Sequence, residues 1–466
     1  MSRELTDTTT VTWDGTDPAL AKATAIGIEL PVTTSASSGV INQSSIRLIH
    51  TYKDATSAGY NLFVGNGAGN FTMSPGGGAS YFGSYNVGIG SYALSANTTG
   101  HYNVAVGTNS LANNTTGYEN VALGLNAMNA NTTGTHNVGI GASALQANTT
   151  AAYNVALGDV SLFSNTTGTY NVAVGSSALY SNLIGIHNIG IGAFALQNNT
   201  SDYNIGIGSF ALQANTTANS NTAIGANALH SNITGNSNLA IGVSALFANT
   251  AGYFNIGIGN SALTANTANY NIGIGGYALT ANVDGLYNVA LGIHTLETNI
   301  SGSSNVGIGF QALQAATGAN NTSIGFDSLR YTTSAANNTA LGYAAGKFIT
   351  GGATQNITGN TSVFIGANTY PKADGEANEI VIGYATTGDG ANTVAIGNAS
   401  IVSTRLRGAT LHTTYIVSAL PSAATSGVGA RAFVTDALTP VFGSAVTGGG
   451  AVPVPVYSTG AAWNVG

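Results

Sequence analysis

The chain has no cysteine, few prolines and very little charge: of 466 residues only 6% are Asp, Glu, Lys or Arg. An ordinary soluble domain carries about a quarter. The absence of cysteine leaves the redox compartment open, although it suits a protein that works outside cells without disulfides. Between Lys53 and Arg330 there is no lysine or arginine at all. A surface without basic side chains cannot neutralise phosphates, so nucleic-acid binding is excluded for that stretch. No uninterrupted apolar run reaches the length of a membrane-spanning helix, and Met1 to Asp7 lacks the apolar core of a secretory signal. Membrane insertion and signal-led export are therefore not expected. Solubility falls to Asn, Thr and Ser side chains.

What the chain does have is one short phrase repeated sixteen times. It begins at Asn86, Asn103, Asn120, Asn137, Asn154, Asn171, Asn188, Asn204, Asn221, Asn238, Asn255, Asn271, Asn288, Asn305, Asn321 and Asn338. Twelve of the fifteen steps are seventeen residues and three are sixteen. A fixed period this short is the signature of a solenoid. Four residues after each asparagine stands a glycine, from Gly90 to Gly342. It marks a corner where φ is expected to be positive. Apolar residues one and three places after the asparagine, such as Val104 and Val106, predict a short strand with one buried face. Leu eight places on, in fourteen copies, predicts the inward residue of a second short strand. The fullest form of the closing turn is Asn-Thr-Thr-Gly, at Asn97, Asn114, Asn131 and Asn165, residue types that tolerate turn geometry. Each coil thus reads as strand, glycine corner, second strand, asparagine corner. The fold class is all-β, a β-solenoid or parallel β-roll of about 17-residue coils.

Between the two apolar residues of the first strand sits Gly, Ala or Ser in every copy, for example Gly88, Ala105 and Ala122. Its side chain points opposite to its neighbours. Restriction to the smallest side chains implies a backbone packed close against that face. A second and third copy of the chain around a threefold axis would supply it. A flattened coil whose own loop covers the face is the alternative.

Residues 1–57 form an N-terminal capping and attachment region, with six of the seventeen acids, Trp13 and two strand-like runs, Ala25 to Leu30 and Ile46 to His50. The repeat shaft occupies 58–345, opening on an imperfect coil at Asn61 to Gly65 and a Pro75 to Gly78 loop. Residues 346–410 are irregular coils, starting where Gly346 replaces the expected leucine. Residues 411–466 form a small β-rich terminal module, whose Val452 to Tyr457 run alternates Val and Pro as edge strands do.

Candidate chemistry is sparse. A glycan-cleaving spike needs two carboxylates at a defined separation. The shaft's acids, Glu119, Asp159, Asp202, Asp284, Glu297 and Asp327, fall at different places in their coils, so no pair stacks within one chain. Asp374, Glu376 and Glu379 are close enough in sequence to suggest a calcium site, or simply a solvated charged turn. His101, His136 and His187 stand within two residues before a strand asparagine, where they would line an axis or face water. The glycines lack the lysine and helix of a phosphate loop. No catalytic residue, cofactor or metal is expected. The binding candidates are the tyrosines before the strand asparagine: Tyr85, Tyr102, Tyr153, Tyr170, Tyr203, Tyr270 and Tyr287. Stacked at one corner, they would form an interrupted ridge, either packing on sugar rings or stiffening the corner. The Asn-Thr-Thr columns also offer the regular threonine face of an ice-binding solenoid.

The Asn221 to Gly225 phrase and the Asn-Thr-Thr-Gly turns resemble repeats of bacteriophage tail-fibre proteins, and are similar to the heads of trimeric autotransporter adhesins. Ala430 to Asp436 through Ser458 resembles a module that closes many phage tail proteins. The resemblance implies a homotrimeric virion fibre that attaches to the particle by its N-terminal region and contacts a host glycan or protein. Neither the signal and membrane anchor of the adhesins nor the self-cleaving chaperone of some phage fibres is recognisable, which favours a phage product made in the host cytoplasm. A capsid-attached fibre, an ice-binding or surface-adhesive solenoid and a glycan depolymerase remain alternatives.

Overall fold

A computed structural model describes residues 40–43, 46–50, 59–70, 81–401, 414–415, 431–437, 452–458 and 462–465. The expected strand at 25–30 and the loop at 75–78 lie outside the described residues. The chain divides into two compact units, 1–398 and 399–466.

The first unit opens with β1 (Val40–Gln43) and β2 (Ile46–His50), an antiparallel pair, and β2 pairs antiparallel with β3 (Leu62–Val64). From β3 onward every strand has three residues and pairs parallel with the next. The series runs through β4 (Val87–Ile89) to β19 (Thr339–Leu341), then β20 (Val363–Ile365), β21 (Ile380–Ile382) and β22 (Val394–Ile396). The register is exact from coil to coil: Val104 lies beside Val121, Ala105 beside Ala122, Val106 beside Leu123. The molecule is a parallel β-solenoid, and no helix occurs among the described residues. Twenty strands at the usual spacing make a stack about 90 Å long. In the second unit β23 (Thr414–Tyr415), β24 (Arg431–Ala437), β25 (Val452–Ser458) and β26 (Trp463–Val465) form one sheet. Its first pairing is parallel and the other two antiparallel.

The glycine corner is as expected. Gly141 has φ of 136°, and a Cβ there would lie 2.3 Å from the carbonyl oxygen of Gly158 in the next coil. Three other features of the coil differ from the sequence reading.

The second segment is not a strand. Two of its residues, such as Asn109 and Leu111, have φ of 57° and 50°, with an ordinary residue between them. Alternating hands of φ make a run of turns, not an extended ladder. The turns still bond to the next coil, Leu111 N–H donating to Ala127 O at 3.0 Å. A bulky residue with positive φ is uncommon. Here it places each leucine wholly inside the coil.

The strand also faces the other way. Its small middle residue is the buried one, and the flanking Val and Ile are half-buried or exposed on the outside. A Cβ on Gly190 would meet Leu179 Cγ of the coil below at 3.2 Å and Ala195 O of its own coil at 3.2 Å. This chain's own leucine and turn therefore explain the restriction to Gly, Ala and Ser, and no second copy is needed to explain it. Where the leucine is missing, the small residue grows. Gly346 stands opposite buried Phe364, and Gly69 opposite buried Phe63. The exchange conserves volume, which cores tolerate best.

Finally, the asparagines are interior residues. Asn103 and Asn114 are fully buried and begin no solvent-facing corner. The strand asparagines form one ladder: Asn120 Nδ2 donates to Asn103 Oδ1 at 3.2 Å and to Gly134 O at 2.8 Å, while its backbone N–H also donates to Asn103 Oδ1. The turn asparagines form another, Asn131 Nδ2 donating to Asn114 Oδ1 at 2.8 Å. Two amide ladders, a leucine column and two columns of small residues fill the cross-section.

Candidate functional site

Two surfaces of the solenoid are chemically distinctive. The first is the outer side of the parallel sheet. Val104, Val121, Val138, Val155 and Val172 form one column and Val106, Leu123, Ile140, Leu157 and Val174 another, in register. All are half-buried or exposed, and no strand from β4 to β19 contains a charged residue. Thr222, Thr322 and Thr339 are the polar members of the first column. The strip is two side chains wide and about 90 Å long, whereas exposed apolar patches on monomeric proteins are commonly about 300–600 Å².

The second surface is the corner just before the strand. Each residue from Tyr60 to Tyr287 there has φ between 54° and 60°, as at Tyr85, Tyr102, His136, Tyr153 and Tyr203. The coil holds that conformation through a backbone bond to the coil below, Tyr153 N–H donating to Thr135 O at 3.1 Å. The side chains project outward and stack. Tyr60, Tyr85 and Tyr102 form a first run, with ring centroids 5.4 and 5.0 Å apart. Glu119 interrupts it and pairs with His136 Nε2 at 3.0 Å. His136, Tyr153, Tyr170, His187 and Tyr203 form a second run at 4.6–5.2 Å. Ser220 and Ser237 leave a gap, and Phe254, Tyr270 and Tyr287 form a third run.

All seven expected tyrosines thus lie in one column, and the structure adds Tyr60, His136, His187 and Phe254 as rungs. The sequence already set His136 and His187 just before a strand asparagine, and counting back one residue from Asn255 would have found Phe254. Within a run each ring face is covered by its neighbour, leaving edges and hydroxyls to the solvent. Ring faces open at the run ends Tyr203, Phe254 and Tyr287, exposed 56%, 54% and 57% against 47% for Tyr153 and 39% for Tyr270, whereas the run end Tyr102, at 45%, is also contacted by Tyr81 and His101. Burial and a hydrogen bond with Tyr253 push the Tyr270 phenol above its ordinary pKa. Stacking is a habit of the whole fold, since Phe163 with Tyr180, Phe194 with Phe210 and Phe310 with Phe326 do the same elsewhere in the coil.

The remaining candidates do not converge. His101 lies outside the column, buried between Phe82 and Tyr118. His136 and His187 are three coils apart, roughly 14 Å. Among the described residues no group of three His, Cys, Asp or Glu side chains is placed to hold a metal ion. The acids near 376 each bind a different stretch of backbone. Asp374 accepts from Ile357 and Thr358 N–H at 2.7 and 2.8 Å, Glu376 from Ala391 N–H at 2.6 Å, Glu379 from Gly390 N–H at 2.8 Å. Burial raises the Asp374 pKa, but these backbone bonds outweigh it and hold the carboxyl below its usual range. For Glu379 burial wins and the pKa is raised. The first threonine of each turn is committed too: Thr98, Thr115 and Thr132 hydroxyls donate to carbonyls of the next coil at 2.9–3.1 Å. Leu183, Ile233, Val283 and Ile300 break that column.

Compared with known proteins, the chain matches no family model, no curated protein and no solved structure.

Proposed function

We propose that this chain is the shaft of a homotrimeric bacteriophage tail fibre, a structural, non-enzymatic virion protein that reaches the host surface. The observation that carries the reading is the outer face of the sheet. An apolar strip some 90 Å long would draw copies of the chain together, because burying it removes about 25 cal/mol per Å² from contact with water. Every coil presents the same flat profile, so copies pack along their full length with no register preference beyond that of their ends. The resemblance of the repeats to phage fibres and trimeric adhesin heads favours three copies over two. In this reading the N-terminal region binds another virion protein and residues 411–466 lie distally, helping to seed the trimer. Attachment to the capsid is the variant of the same reading. The committed hydroxyls of the first threonine column, and the breaks in the second at Ile184, Ala251 and Asp284, weigh against ice binding. The scatter of the acids weighs against a depolymerase.

Light scattering on the purified full-length protein tests this. The expected mass is about three times the 46.4 kDa chain. About twice that mass would keep a bundled rod and remove the trimer. A soluble single chain with intact β-structure would overturn the fibre.

A further inference from the structure

We propose that the break in the aromatic column at Ser220 and Ser237 is a carbohydrate-binding notch that takes two neutral hexose rings, one on Tyr203 and one on Phe254. It rests on the fibre reading for its biological purpose, whereas the notch itself belongs to the solenoid.

The backbone does not break where the stack does. Ser220 and Ser237 both keep φ of 57°, the value of the ring-bearing rungs. Ser237 N–H donates to Asn219 O at 3.2 Å and Phe254 N–H to Asn236 O at 3.2 Å, as in the coils with rings. Only the side chains have been cut back, so two rungs are missing from a rigid ladder. Three coil steps place the Tyr203 and Phe254 rings about 14 Å apart. That is the height of two ring-shaped groups stacked between two aromatic faces.

The chemistry of the walls selects the occupant. Tyr203 is covered by His187 on one side, and Phe254 by Tyr270 on the other. Each therefore turns an unshared face into the notch. Tyr253 stands edge-on to both Phe254 and Tyr270, 5.6 and 5.2 Å between centroids, and braces the upper wall. The rim is polar: Ser220, Asn219 and Asn236 are exposed, and the one carboxylate beside Tyr203, Asp202, accepts from Ile186 N–H of the coil below. A hexose ring has a C–H face that packs on an aromatic face and hydroxyls around its edge that bond to amides and serine. No Lys or Arg occurs between Lys53 and Arg330, so an anionic sugar would find no counter-charge.

The test uses the full-length protein, a panel of neutral polysaccharides (dextran, mannan, galactan) with alginate as the anionic control, and affinity electrophoresis and calorimetry as readouts. Ser220→Tyr with Ser237→Tyr restores both missing rungs. It is expected to lower saccharide affinity at least tenfold while the thermal midpoint stays level or rises. Tyr203→Ala should weaken binding in the same direction. Unchanged affinity in the filled variant, no binding of any neutral polysaccharide, or binding of alginate alone would each overturn the notch. Mass measurements on the same samples separate the two readings. A trimer indifferent to filling the notch removes the notch and keeps the fibre. A single chain that loses saccharide on filling keeps the notch and removes the fibre.

Discussion

An amide side chain carries a donor and an acceptor at similar reach, so asparagine is the residue that can repeat indefinitely along an axis with each copy satisfying the next. The ladders depend on that, and their defects are informative. Asn182, Asn249 and Asn299 each have an Oδ1 with no hydrogen-bond partner among the described residues. Each lies in the coil just before a sixteen-residue coil. In the short coils Asn199 and Asn266 turn their Nδ2 to a carbonyl two residues on, at Ser201 and Ala268, instead of three. That swings the donor away from the oxygen below. In the third short coil the residue is Ala316, which has no donor to offer. Glu379 shows the opposite compromise, a buried carboxyl in the strand-entry position with its pKa raised by burial. The folded chain holds that proton more tightly than the unfolded one. The group's contribution is therefore most favourable below the ordinary carboxylate range and is lost as pH rises through the raised folded value. Glu379→Gln keeps an acceptor for Gly390 N–H without the charge. It should raise the stability of the coils around 380 at pH 7 and change little in acid, measured by hydrogen exchange across that pH range. A loss of stability at pH 7 would show that the carboxylate is worth more charged than neutral.

At the scale of one coil, the corner glycine and the strand's middle residue look alike in the sequence and differ sharply in what they tolerate. Gly141 combines positive φ with backbone pressed against the position of a Cβ. Gly139 has an ordinary φ, and the nearest atoms to its Cβ are side-chain atoms of Met128, Cγ at 3.0 Å and Sδ at 3.3 Å. Other coils place alanine there, as at Ala122 and Ala156. Gly141→Ala should cost on the order of 3 kcal/mol or more, and Gly139→Ala within about 1 kcal/mol of zero. Urea unfolding followed by circular dichroism measures both. Equal costs would mean that the corner relaxes more readily than its backbone contacts imply.

For the whole molecule, the central question is what covers the outer face. In a solenoid each coil touches only its neighbours, so stability accumulates along the rod and the two ends need closing. At the first end β1 and β2 fold antiparallel onto β3. Phe63 and Phe364 fill the coils that bracket the regular repeats. Among the described residues nothing closes the outer face in the same way. Paired substitutions Val155→Asp and Val172→Asp lie beside each other in register, with outward side chains that the core does not use. They should leave circular dichroism unchanged and reduce the association constant of the fibre by at least about tenfold, the effect of roughly 1.4 kcal/mol, read from mass against concentration. Association that ignores both charges would place the interface on another face.

The amino-acid sequence by itself determined the period, the number of coils, the glycine corner and the inward leucine, because each depends on a residue recurring at a fixed place. The column of tyrosines was legible for the same reason. Which side of the strand faces inward was not. A two-residue alternation defines two faces without saying which is the interior, and hydrophobicity alone points to the valines. Tertiary packing decided otherwise. A seventeen-residue coil encloses so narrow a section that one leucine and two amides nearly fill it, leaving room inside the strand only for Gly, Ala or Ser. That volume limit turned Val104, Val106 and their repeats outward. It drew the asparagines in from the corners, where turn propensity had placed them, and folded the leucine segment into turns instead of a second strand.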